Sequence, residues 1–524
     1  MSTDATISPR TQQPVLARQR AKDQQHQRRR DSDEDTRSTR SQRMSAYFPL
    51  SYKEAAHQWW TSISPPAAER NVLSLIPFLR EATTTAGSSS PELLLRQNES
   101  TRSDPFGHRV WRSTMVKLSG KNRVLNEYSI ERVGEPVDET LVMLHGYGAG
   151  LGFFYKNFEP LSRARGWKLY ALDMLGMGNS SRPHFRVHAK DPAGKITEAE
   201  NFFIDALEEW RRVRNIERFT LLGHSMGGYL AVSYALKYPG HLNKLILVSP
   251  VGIPEDPYAV NADMPEPEES TMASEFTQDQ ESIVSDTDDN GNLSTARNGN
   301  GNGNGNGSSN NKKGNKAAAA PRRPLPGWLV WLWDSNFVSP FSIVRAAGPL
   351  GPRFVSGWTS RRFNHLPADE SQALHTYSYS LFRQKGSGEF ALPYILAPGA
   401  YARRPLVNRI QDVGRGVVRP AGPGGDPPEV RETGIPVVMM YGDHDWMDVA
   451  GGYAAEEKLK RRAEQALAEG TEEERARENG SAKVVIVRKA GHHLYLDNAD
   501  EFNEHIIKEL EETRREDLRQ KAGR

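Results

Sequence analysis

The chain is 524 residues long, contains no cysteine and carries a formal net charge of +2, which excludes disulfides, thiolate nucleophiles, iron–sulfur clusters and cysteine-ligated zinc. So small a charge, with no basic stripe interleaved with aromatics, leaves no footprint for a nucleic-acid ligand. No apolar run approaches the roughly 18 residues that cross a bilayer, and the N-terminus lacks the apolar stretch of a secretory signal, so the expectation is a soluble or peripheral protein without a transmembrane segment.

Residues 1–43 are polar and rich in Gln and Arg, and the acids Asp31, Asp33, Glu34 and Asp35 follow Arg28 to Arg30. With almost nothing apolar to bury, this stretch is expected to be a disordered tail. Its arginines suit a mitochondrial leader, while its acids and its lack of an amphipathic pattern do not. From Tyr47 to about Ala86 the composition changes. Trp59 and Trp60 come first, and Leu73, Leu75, Ile76, Phe78 and Leu79 then fall at spacings that predict one or two helices. The paired indoles suit packing on a folded body, or an interface with lipid, where an apolar ring with one polar handle is at home.

Short apolar runs then alternate with helical patterns. Leu141 to Leu144, Leu169 to Leu172, Phe219 to Leu222 and Leu245 to Val248 precede a long break; Val437 to Tyr441 and Val484 to Val487 follow it. Asn201 to Arg214 reads as a helix between two of them. Runs of this length are the pattern of buried parallel strands, so the fold class is α/β, a mostly parallel sheet wrapped by helices. Active-site residues are expected on loops at the C-terminal ends of the strands. The break, Asp256 to about Arg323, passes through a nearly pure Asn/Gly tract and has no side chains with which to build a core. Tyr453 to Arg477, dense in Glu, Arg and Ala, predicts a solvated helix. The expected organisation is a disordered tail (1–43), an N-terminal helical segment (44–100) and a core in two parts (104–255 and 432–515). A disordered insertion (256–323) and a helical cap (324–431) separate the two parts.

Gly223-His224-Ser225-Met226-Gly227-Gly228 stands directly after the strand Phe219 to Leu222 and before the helical pattern Tyr229 to Lys237. This is a G-x-S-x-G nucleophile elbow in strand-turn-helix context, where glycines let backbone approach backbone and the serine is held up in a strained conformation. A serine hydroxyl needs a base, and the base an orienting acid. The chain order of this arrangement is Ser, acid, His. Asp445 lies past the turn at Gly442 after one strand, with Asp443 and Asp448 as alternatives; His492 follows Gly491 after the last strand, with His493 as its alternative. The tetrahedral oxyanion formed on attack needs preorganised donors. The N–H of Met226 supplies one, and the loop His145-Gly146-Tyr147-Gly148 the second, with the Tyr147 N–H the first choice. His145 is expected to brace that loop, and Asp173, in Asp173-Met174-Leu175-Gly176, to be structural. No histidine stands in a zinc spacing, and neither a metal nor a cofactor is implied.

Taken together, LHGYGAG from Leu144, LDMLGMGNSSRP from Leu172, GHSMGGYLAVSYALKYP from Gly223, YGDHDWMD from Tyr441 and GHHLYLDNADEFN from Gly491 resemble a lipid-acting branch of the α/β-hydrolases. That branch holds the fungal cardiolipin-specific deacylases, the N-acyl-phosphatidylethanolamine lysophospholipase and the lipid-droplet lipase coactivator. The likeness spans roughly Asp104 to Gly252 and Gly434 to the end, with a cap fragment, GAYARRPLVNRI, at Gly399. It implies the α/β-hydrolase fold and a phospholipid deacylase whose substrate sits at a membrane surface, cardiolipin being the first to test. In that branch H-x-x-x-x-D, here His492 to Asp497, has been associated with lysophosphatidic acid acyltransferase activity; Asp497 or Asn498 also stands where it can cap the next helix. Resolution of a Ser225 acyl-enzyme by a lysophospholipid would make the protein a transacylase. One member type lacks the serine and works by binding a lipase, so a non-catalytic adaptor on lipid surfaces is the rival of another class. Ser225 argues against dehalogenase or epoxide-hydrolase chemistry, which wants a carboxylate there.

Between Val251 and Arg431 lies the expected lid. Trp328, Trp331 and Trp333 with Leu329, Val330 and Leu332, then Phe337, Phe341 and Ile343, make a segment too short to span a bilayer but able to dip into an interface or line a core. Kinship implies residence in mitochondria, with the cytosol, the lipid droplet or the endoplasmic reticulum surface as alternatives. Protein partners are not specified by the sequence.

Overall fold

The computed structural model describes residues 50–77, 106–255, 339–397, 400–421 and 429–522. The tail 1–43, the insertion 256–323 and the segment from Trp328 to Phe337 lie outside these residues.

The strands in chain order are β1 (Arg109–Lys117), β2 (Val124–Arg132), β3 (Glu139–Leu144), β4 (Trp167–Leu172), β5 (Phe219–His224), β6 (Leu242–Val248), β7 (Val417–Arg419), β8 (Val430–Arg431), β9 (Pro436–Gly442) and β10 (Ser481–Val487). Eight of them form one sheet in the order β1-β2-β4-β3-β5-β6-β9-β10, and β7 pairs with β8 in a separate ribbon. The stretch from β4 through β10 is parallel throughout, while β1 and β2 pair antiparallel and join the sheet antiparallel to β4. Every residue of β3 and of β5 is buried, as strands covered by helices on both faces must be. The six apolar runs read from the sequence are the six parallel strands, each longer in the structure because flanking residues, among them the polar Glu139, Thr140 and Lys244, continue the ladder.

Helix α4 (Pro192–Val213) starts well before the predicted Asn201. Asp191 caps it by accepting the Gly194 N–H at 2.7 Å, and Pro192 sets the first turn. Its buried face runs from Ile196 and Ala199 through Phe203, Ile204, Leu207 and Trp210. Helix α5 (Met226–Lys237) leaves β5 with no intervening loop. The expected solvated helix is two, α10 (Val449–Glu469) and α11 (Glu472–Arg477), broken at Gly470 and restarted by a capping box in which Thr471 and Glu474 bond each other's backbone N–H.

The expected N-terminal helical segment contains α1 (Tyr52–Thr61) and α2 (Pro65–Leu73), and the expected cap contains α6 (Pro340–Ala346), α7 (Gly351–Arg362), α8 (Ala368–Phe382) and α9 (Leu392–Ile395); the short helices α3 (Tyr155–Leu161) and α12 (Leu494–Asp497) lie between β3 and β4 and after β10. Helix α2 packs on α8, and α1 on α7. Ala68, Val72, Leu73 and Ile76 enter the core, while Trp59 and Trp60 face outward at 40% and 82% exposure; Phe78 and Leu79 lie outside the described residues. In the C-terminal part of the expected cap, Leu406 and Val407 donate to the carbonyls of Gly252 and Ile253 at 2.9 Å, which bonds this stretch to the core.

Candidate active site

Parallel strands in one sheet send their C-terminal loops to one edge. The loops after β3, β5, β6, β9 and β10 bring Tyr147, Ser225, Ser249, Asp445 and His492 there.

Ser225 sits between β5 and α5 with φ 52° and ψ −117°, a backbone state that L-residues avoid. Its carbonyl accepts the N–H groups of Gly228, Tyr229 and Val251 at 2.9, 3.2 and 3.3 Å, and its own N–H donates to the Val248 carbonyl at 2.9 Å. The flanking glycines are required by space. A Cβ on Gly223 would stand 2.4 Å from the Gly227 carbonyl oxygen, and one on Gly227 would stand 2.6 Å from that of His145. Neighbouring Gly146 leaves no more room, since a Cβ there would be 3.0 Å from the Ser225 Cβ. The Gly146-Tyr147 loop therefore lies against the serine. The Met226 N–H opens α5 beside it and makes no hydrogen bond among the described residues.

Asp445 and His492 meet. The ring Nδ1 is 3.3 Å from Asp445 Oδ1, which also accepts the Met447 N–H at 3.0 Å, while the Ser249 hydroxyl donates to Asp445 Oδ2. Burial pushes the Asp445 carboxyl up, but the hydrogen bonds from His492, Ser249 and Met447 outweigh it and hold the group below its usual range. The Trp446 ring lies tilted against the imidazole at 4.9 Å, and His224 Nε2 lies 3.0 Å from the His492 carbonyl oxygen. The Ser225 hydroxyl and His492 Nε2 make no hydrogen bond among the described residues. The alternatives are engaged elsewhere: Asp443 accepts the Ala490 N–H at 3.0 Å, Asp448 caps α10, and His493 packs among Phe153, His224 and Tyr495.

Asp497 does not face the His492 ring nitrogen that Asp445 occupies. Its Oδ2 accepts the Gly491 N–H at 2.9 Å, and its Oδ1 is 3.3 Å from His365 Nε2 of the cap. Asn498 is the cap of α13 (Ala499–Ala522), accepting the Glu501 N–H at 3.3 Å.

His145 braces its loop. Its Nε2 accepts the Met174 N–H at 3.1 Å, which assigns the proton to Nδ1, 2.7 Å from the Gly146 carbonyl, and burial favours this neutral form. Asp173 is structural: its two oxygens accept the N–H groups of Leu151 and Asn179, each at 2.7 Å, and the Asn126 amide at 2.8 Å. Sequence reading missed the partner of this cluster. Glu69 of α2 takes the Asn126 and Asn179 amides and the Tyr377 hydroxyl at 2.8–3.0 Å in a fully buried site; burial first, then Asp173, raises its pKa to about 8. Ser249 was missed as well. Its one local signal is its place directly after a buried strand, the same place Ser225 holds after β5.

Among the described residues no group of His, Asp and Glu could hold a metal ion, and no helix is long and apolar enough to cross a membrane. The profile of the alpha/beta hydrolase fold matches residues 139–321. The chain is 29% identical over 450 residues to a 1-acylglycerol-3-phosphate O-acyltransferase of Arabidopsis thaliana, covering 84% of this chain and 78% of that one. It is 28% identical over 401 residues to the 1-acylglycerol-3-phosphate O-acyltransferase ABHD5 of Mus musculus, covering 76% and 84%. To the (Lyso)-N-acylphosphatidylethanolamine lipase of Homo sapiens it is 28% identical over 403 residues, covering 75% and 85%. With its parallel sheet, its elbow and these likenesses, the chain has the α/β-hydrolase fold and resembles the lipid-acting branch of that fold.

Proposed function

We propose that the chain is a serine-dependent acyl hydrolase of phospholipids. Ser225 attacks an acyl ester while His492 takes its proton, Asp445 stabilises the resulting imidazolium, and the N–H groups of Met226 and Tyr147 receive the oxyanion. The alcohol leaves with the proton from His492, and water activated by the same imidazole releases the fatty acid from Ser225. The observation that carries this reading is the buried Asp445, fastened at both oxygens and 3.3 Å from His492 Nδ1, on the loop edge where the strained Ser225 stands. Catalytic hydrogen bonds such as that from Ser225 to His492 are often unformed before substrate binds and tighten in the complex. A fluorophosphonate probe should label the protein. Ser225→Ala should abolish labelling and acyl release while leaving vesicle binding intact. If the variant keeps its cellular effect, the adaptor reading replaces this one.

Acyl transfer is the second reading, supported by the names of two relatives. It would run through the same Ser225 acyl-enzyme with a lysophospholipid in place of water, since Asp497 is engaged with Gly491 and His365. Cardiolipin is the first substrate to test, by resemblance to the fungal deacylases, and mitochondria the first compartment. Fractionation with and without residues 1–43 tests the second of these, and retention of both forms in the cytosol would refute it.

A further inference from the structure

The rim of the site toward the cap carries charge that the reaction above does not use. Phe363, just past the end of α7, is buried with its ring 6.0 Å from Phe153, and His365 reaches Asp497, whose other oxygen holds the loop of His492. Most charges on this rim are matched. Lys156 pairs with Glu370 at 3.0 Å; Asp497 lies 3.3 Å from the His365 ring, whose pKa burial lowers, and also accepts the Gly491 N–H; and Asp369 stands exposed at the start of α8, where solvent screens it.

Arg361 and Arg362 differ. Among the described residues neither makes an ion pair, and Arg361 Nε and Arg362 Nη2 are buried without a hydrogen-bond partner. Cations in the last turn of α7 complement its dipole, which accounts for charge there but not for buried guanidinium nitrogens left unmatched. The guanidinium of Arg362 reaches the centre electrostatically. Burial first, then His492 and Arg362, drive the His224 imidazole beside Ser225 far below its usual range. An aromatic wall runs from the same place toward the serine. Phe363 meets Trp358 at 5.8 Å, Trp358 meets Phe382 at 5.6 Å, and Phe341 stacks between Phe382 and Tyr147 at 4.5 and 5.1 Å. A cation pair at one end of an apolar wall that reaches the Tyr147 loop is complementary to an amphiphile with an anionic head.

We propose that Arg362, with Arg361 beside it, forms an anion subsite at the rim of the Ser225 centre, receiving the phosphate of a phospholipid while the aromatic wall takes an acyl chain. This deepens the hydrolase reading and rests on it for the orientation of the ester. A fork of planar donors suits a phosphate better than a carbonyl, and desolvation by the neighbouring rings strengthens the contact. A lysophospholipid bearing a phosphate monoester is then preferred over the neutral monoacylglycerol with the same chain.

The test separates binding from turnover. On full-length Ser225→Ala protein, calorimetry with hexyl phosphate should give binding at least about tenfold tighter than hexanol or inorganic phosphate. Arg362→Gln should remove about tenfold of that affinity, as loss of a charge-assisted hydrogen bond does, and Arg362→Lys should restore part of it. Melting curves check that each variant folds, and Arg361→Gln supplies a second, weaker loss. Unchanged hexyl phosphate affinity in folded Arg362→Gln would overturn the subsite. So would hexanol or free phosphate binding as tightly as hexyl phosphate, the latter marking a site for a free anion. If the intact protein hydrolyses neither the phosphorylated nor the neutral lipid, the hydrolase reading falls, while the binding arm still decides the subsite.

Discussion

Asp445→Asn isolates charge from geometry at the centre. Asp445 Oδ1 accepts both the His492 ring N–H and the Met447 backbone N–H, and Oδ2 accepts the Ser249 hydroxyl. An asparagine placed with its carbonyl in the Oδ1 position keeps the first two bonds, and the Ser249 hydroxyl can turn to accept from the new amide. The opposite orientation would set an NH2 against the fixed Met447 N–H and is disfavoured by about 1–3 kcal/mol. The fold therefore survives, and what disappears is the negative charge facing the imidazolium in the transition state. At the observed 3.3 Å and an effective dielectric of about 20, that attraction is about 5 kcal/mol. Lost in full, it lowers kcat/KM by roughly three to four powers of ten. Hydrolysis of 4-nitrophenyl butyrate at neutral pH reads the loss directly, with a melting curve beside it to confirm folding. A folded Asp445→Asn protein within tenfold of the parent would refute the assignment of Asp445 as the orienting acid.

Gly227→Ala would push a methyl group to within 2.6 Å of the His145 carbonyl oxygen and 2.8 Å of that of Leu144, both backbone atoms. The expected cost is about 1–3 kcal/mol of stability, with loss of fluorophosphonate labelling; an unchanged melting temperature would contradict the tightness of the elbow. Glu69 binds its proton more tightly folded, with a pKa of about 8, than at the ordinary 4.5. Its protonated form therefore supports the fold below about pH 4.5, and that support is lost as pH rises through about 8, at up to about 1.4 kcal/mol per unit. Glu69→Gln should flatten the melting temperature between pH 5 and 8, and a profile as steep as the parent's would refute the buried-carboxyl account. Trp60→Ala, at the 82% exposed end of α1, should weaken sedimentation with phospholipid vesicles by roughly tenfold or more while leaving turnover of a soluble ester unchanged; equal sedimentation would remove α1 from the lipid interface.

What was legible in the sequence was local. Ser225, Asp445 and His492 each follow an apolar run within a few residues, so the strand and its loop were read as one unit, and parallel packing then gathers those loops at one edge. The β1–β2 hairpin was not read, because β1 mixes exposed and buried positions. Its first residue, Arg109, is fully buried against Glu159 and Ser162, partners that no pattern within β1 announces. Glu69 and Asp497 show the same difficulty at the site. Glu69 looks like any surface acid of a short helix, yet its carboxyl closes a cluster with Asn126, Asn179 and Tyr377 beneath the Gly150–Gly152 turn. Asp497 could be read as a helix cap or as half of an acyltransferase motif, and the choice depended on Gly491 and His365, one in its own loop and the other across the cap. Periodicity carries burial and turn chemistry, but a buried polar side chain is specified by whichever donor arrives from elsewhere in the chain. Polar contacts of this kind tie both the N-terminal helices and the cap to the loops of the site. The strength of that coupling can be read by asking whether Glu69→Gln, far from Ser225 in sequence, alters the rate of fluorophosphonate labelling. No change would mean that α2 supports the fold without positioning the nucleophile.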